Sequence, residues 1–106
     1  MEFIETSLFL KLSKQYLSEE ELRQLQTILS VHPDMGTLIQ GSGGLRKIRW
    51  FSGGKGKKGG VRVIYYWITQ DHQIILLTLY KKSIKDDLTS QELKYLRTLI
   101  EEDNDE

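Results

Sequence analysis

The 106-residue sequence has no cysteine and a single proline, and between Asp34 and Asp71 it contains not one aspartate or glutamate. The missing cysteine excludes disulfides, thiolate zinc sites and cysteine nucleophiles, and it fits a reducing compartment. No basic segment leading into an apolar one opens the sequence. No apolar run approaches the roughly 18 residues that cross a bilayer, so a cytoplasmic protein without membrane contact is expected. Histidine is scarce too: His32 and His72 both fall in turn-like contexts with no second histidine at ligand spacing, and no metal or cofactor is expected. The segment Gly54 to Gly59, GKGKKG, matches the dinucleotide-binding pattern by letter. It precedes a strand instead of opening a helix, and so carries little weight as a nucleotide site.

What fills the acid-free gap is basic. Seven cations (Arg46, Lys47, Arg49, Lys55, Lys57, Lys58 and Arg62) lie among glycines and aromatics between Gly41 and Tyr66. The formal net charge of zero hides this, because five of the fifteen acids are crowded into the last six residues; the remainder carries ten acids against fifteen bases. A polyanion is the natural partner of such a surface. The length allows one domain, taken as residues 1–100, followed by an acidic tail over 101–106.

Local signals set the element order. Phe3 to Thr6 reads as a short strand, followed by a helix capped by Ser7 with Leu8, Phe9, Leu12 and Tyr16 on one face. Ser18 and Glu21 form a capping box for a second helix, with Leu17 and Leu22 as its hydrophobic staple; Leu88, Thr89, Glu92 and Leu93 repeat that grammar for a last helix. Between them, Leu45 to Phe51 alternates, while Val61 to Thr69 and Ile74 to Tyr80 are apolar on both faces and read as central strands, joined by a turn at Asp71 and His72. The order strand, helix, helix, three strands, helix is an α+β layout, an antiparallel sheet with its helices expected on one face.

Lys47 and Arg49 are two apart on a strand and share a face, and Arg62 opens the next strand, where it can meet them across the sheet. Three cations on one face without a carboxylate repel one another and imply an anionic ligand; a solvated sheet face is the bland alternative. Lys81 and Lys82 extend the same cleft from the end of the third strand. Asp86 and Asp87, just before the last helix, read as carboxylates serving its N-terminus or facing water.

The stretches GGLRKIRW, KGKKGGVRVIYYW, ILLTLYKKS and DDLT resemble the RelE-type toxins of bacterial toxin–antitoxin systems, most closely the HigB-like branch, and the element order agrees with that family. The resemblance implies a ribosome-dependent mRNA endonuclease silenced by a cognate antitoxin, one of helix-turn-helix, HigA-like type, with ribosome and mRNA as further partners. It implies catalytic roles for Lys47, Arg49, Arg62 and Lys82; Arg46, Lys55, Lys57, Lys58 and Lys81, the other cations of the basic surface and its glycine-rich loop, are read as RNA or ribosome contacts. The sequence departs from the family at Leu88, where RelE has a tyrosine thought to assist proton transfer; Tyr80, Lys55 and Lys57 are the candidates to replace it. A ParE-like topoisomerase inhibitor and a noncatalytic RNA-binding module are the alternative readings.

Overall fold

The structure, a computed structural model, describes residues 1–50, 60–85 and 87–104. Its elements are β1 (Glu2–Glu5), α1 (Ser7–Tyr16), α2 (Glu19–Val31), β2 (Thr37–Leu38), β3 (Leu45–Trp50), β4 (Val61–Ile68), β5 (Gln73–Lys81) and α3 (Ser90–Asn104). This is the expected α+β order with one addition, the two-residue strand β2. The five strands lie in the order β1-β5-β4-β3-β2. Strands β2 to β5 are antiparallel, and β1 adds itself parallel to the free edge of β5, with Glu2 opposite Gln73.

Successive residues of a strand point to opposite faces, so each face of the sheet collects its own core. On one face Phe9, Leu25 and Leu29 of α1 and α2 pack on Ile48, Val63, Tyr65 and Leu76. On the other, Leu96 and Ile100 of α3 pack on Leu45, Ile64, Ile75 and Leu77. The expectation that all helices share one face is therefore corrected. The reason was present in the strands themselves: β4 and β5 are apolar on both sides, and each side needs a cover.

The helix starts follow side-chain chemistry. Thr6, not Ser7, caps α1, its hydroxyl accepting from Phe9 N at 2.9 Å and donating to Leu77 O at 2.8 Å, so one side chain starts a helix and ties it to the sheet. Ser18 and Glu21 exchange both bonds of a capping box at α2, and Thr89 and Glu92 do so at α3.

The turn after α2 is fastened to the sheet from within by a buried phenol. Tyr65, fully buried on β4, accepts from Gly36 N at 2.8 Å and donates to Pro33 O at 2.7 Å. Burial pushes its phenol pKa up, against the lowering effect of the Gly36 N–H. A Cβ at Gly36 would stand 2.8 Å from the Tyr65 ring, so the close approach requires glycine. Arg46 locks the same turn from outside, one guanidinium nitrogen donating to Asp34 O at 3.1 Å and Gly36 O at 2.7 Å.

Candidate active site

Alternation on β3 sends Leu45, Lys47 and Arg49 to the α3 side of the sheet. Leu45 disappears under α3, whereas Lys47 and Arg49 lie beyond its cover. The register sets Lys47 opposite Ile64 and Arg49 directly opposite Arg62, which in turn is opposite Tyr80. Lys82 follows two residues after Tyr80, on the same side. Lys47, Arg49, Arg62 and Lys82 thus line one open cleft of about 770 Å³, whose rim is completed by Met35 and Thr37 from the turn pinned by Tyr65. Two arginines directly opposite on one face destabilise the sheet, and this one holds a pair at the floor of a cleft. Arg62 is only 5% exposed, while Arg49 is open to solvent.

The cleft also contains an acid, contrary to the expectation of a carboxylate-free surface. Asp87 arrives from 40 residues downstream and accepts from Lys47 Nζ at 2.8 Å. The Lys47 hydrogen bond, then the Lys47 charge and more weakly that of Arg62, hold the Asp87 carboxyl below the ordinary carboxylate range. Four cations and one carboxylate among the described lining leave a net positive hollow, suited to a phosphate group and ill suited to a divalent ion. No cluster of metal-ligating side chains occurs among the described residues.

The other basic residues disperse. Arg46 points to the opposite face, where its donors bind the Asp34 and Gly36 carbonyls. Lys81, also on that face, sits over the Tyr16 ring at 5.6 Å from its centroid and not in the cleft with Lys82. Tyr80, a candidate for the absent tyrosine, is 7% exposed in the core under α3, with Lys85 Nζ 5.5 Å from its ring centroid. Leu88 packs against that same core. Lys55, Lys57 and Lys58, the Gly54 to Gly59 loop, Phe51, Asp86 and the last two residues of the acidic tail lie outside the described residues.

Sequence reasoning missed Asp87, Met35 and Thr37 as parts of the site. A pair of aspartates before a capping box carries no sign of its distant partner, and a two-residue strand carries no alternation. The available signal was electrostatic: a cluster this basic needs a counter-charge.

No family profile matches the sequence. Among solved structures, a free-state arginine-to-alanine double mutant of the E. coli toxin RelE superposes with a TM-score of 0.60, covering 93% of this chain and 96% of that one at 16% sequence identity. The fold is RelE-like.

Proposed function

We propose that this protein is the toxin of a type II toxin–antitoxin system, a cytoplasmic endoribonuclease that cuts mRNA on the ribosome. The observation that carries this reading is the convergence of Lys47, Arg49, Arg62 and Lys82 in one cleft of a RelE-like fold. The 2′-hydroxyl attacks the adjacent phosphorus, the O2′–P bond forms and the P–O5′ bond breaks. Arg49, Arg62 and Lys82 stabilise the charge that builds on the phosphorane oxygens. The Lys47–Asp87 pair handles the protons, taking one from the 2′-hydroxyl and supplying one to the departing 5′-oxygen. The products are a 2′,3′-cyclic phosphate and a 5′-hydroxyl. The ribosome supplies the alignment that so open a site lacks. Lys55, Lys57 and Lys58 contact ribosomal RNA, with Lys81 and Arg46 as further contacts, and a HigA-like antitoxin of helix-turn-helix type silences the cleft by covering it.

Induction in bacteria together with mapping of mRNA 5′ ends tests the reading. New ends in register with the reading frame, formed also by purified protein on translating ribosomes whose toxin-specific cutting needs no added metal, are expected. Gyrase inhibition without mRNA cutting would move the protein to the ParE-like reading, and RNA binding without growth arrest to a noncatalytic one.

A further inference from the structure

A second groove, of about 520 Å³, runs along the flank of α3, walled on one side by the loop Gln40 to Gly43 and on the other by Ser90, Lys94 and Arg97. It adjoins the cleft through the chain itself. Thr37 lines the cleft, Gln40 lines the groove three residues later, and Ser90 opens the far wall three residues after Asp87. Arg97 closes the far end, donating to Gly43 O at 2.8 Å. Its guanidinium occupies the place a Gly43 side chain would take, 2.6 Å from a Cβ built there. Gly41 faces open space, with nothing within 4 Å of a Cβ at that position. The described lining presents two cations, hydroxyl and amide donors and a single large apolar side chain, Leu93, with no acid. Lys94 is exposed and forms no ion pair among the described residues.

We propose that this groove is a second phosphate-binding track, which holds the single-stranded RNA on one side of the scissile step; the inference rests on the function proposed above for the adjoining cleft. Cations and hydrogen-bond donors beside an open glycine loop suit a sugar–phosphate backbone, whereas a docked protein helix needs the apolar anchors this groove lacks. The cleft reads the scissile phosphate, and Lys94, with Ser90 and Gln40, holds a phosphate upstream or downstream of it. Arg97 is a positioning residue that keeps the 40–43 wall in place.

The test uses the intact protein with 2′-O-methyl oligoribonucleotides, which cannot be cut, of about three and about nine nucleotides, within the span a single-strand groove accommodates. Wild type is expected to bind the longer RNA more tightly. Lys94→Glu removes one charge-assisted hydrogen bond and sets a carboxylate against the phosphate, so it should weaken the longer RNA by at least about tenfold and leave the shorter unchanged. The salt slope for the longer RNA should fall by roughly 0.7 for each phosphate that is no longer neutralised. Arg62→Ala should weaken both lengths. Unchanged affinity and slope in Lys94→Glu, with Arg62→Ala still weakening both RNAs, overturns the track and spares the cleft. Wild type that binds the longer RNA no more tightly than the shorter also overturns the track. Loss in Lys94→Glu of binding to an acidic protein partner, with RNA binding intact, overturns the track in favour of a protein interface.

Discussion

Arg62 is the most constrained cation of the cleft: buried, opposite a second arginine, and on a central strand whose neighbours are packed. Its β-sheet position needs no charge, so Arg62→Ala should keep the circular dichroism of the wild type and lower mRNA cutting by at least about 100-fold, the scale set by removal of one transition-state donor. A well-folded variant with full activity would remove Arg62 from the chemistry. Asp87 can be tested by titration. Its carboxyl is held low by Lys47, so the ion pair is present above the ordinary carboxylate pKa of about 3.9 and is lost only as pH falls through the lower folded value. In Lys47→Met the Asp87 titration measured by carbon NMR should move up; an unmoved midpoint would mean that Lys47 is not its main partner. At this scale Lys47, Arg49 and Arg62 were legible in the sequence because strand alternation assigns faces. Asp87 was not, because an ion pair spanning 40 residues leaves no local trace.

At the scale of elements, the turn between α2 and β2 carries the rim of the cleft, and the Tyr65 phenol holds it from within. Tyr65→Phe strands the buried Gly36 N–H and should cost about 1–3 kcal/mol in denaturant unfolding. Cutting should suffer further through displacement of Met35 and Thr37; an unchanged midpoint would show the turn to be self-supporting. Arg46 binds two carbonyls of the same turn, so Arg46→Ala should lower stability as well. For α3, Thr89→Ala should cost about 1 kcal/mol, the usual loss for an N-cap hydroxyl. Hydrogen exchange that leaves the first turn of α3 as protected as before would contradict this. The capping boxes and long strands were readable because their signals are local. Helix amphipathicity states which residues of α3 turn inward but not which side of the sheet they meet, and that choice rested on the two-sided apolarity of β4 and β5.

Across the whole molecule, the cleft draws on segments from Met35 to Asp87, so a partner that silences it need touch only the α3 side of the sheet. In a complex with the proposed antitoxin, hydrogen exchange should slow in β3 or α3, and protection confined to α2 would contradict direct occlusion. The parallel pairing of β1 with β5 has a consequence for synthesis. Glu2 meets Gln73 across 71 positions of sequence, and Lys82 and Asp87 come later still. A nascent chain therefore has no docking edge for its first strand until β5 has left the exit tunnel, and no complete cation hollow until the codons beyond Asp87 have been translated. Under the proposed function, a chain still short of Lys82 and Asp87 carries no assembled site and cannot cut on the ribosome that is making it. Chains stalled before Gln73 should be digested by protease along their whole exposed length, while released full-length chains resist.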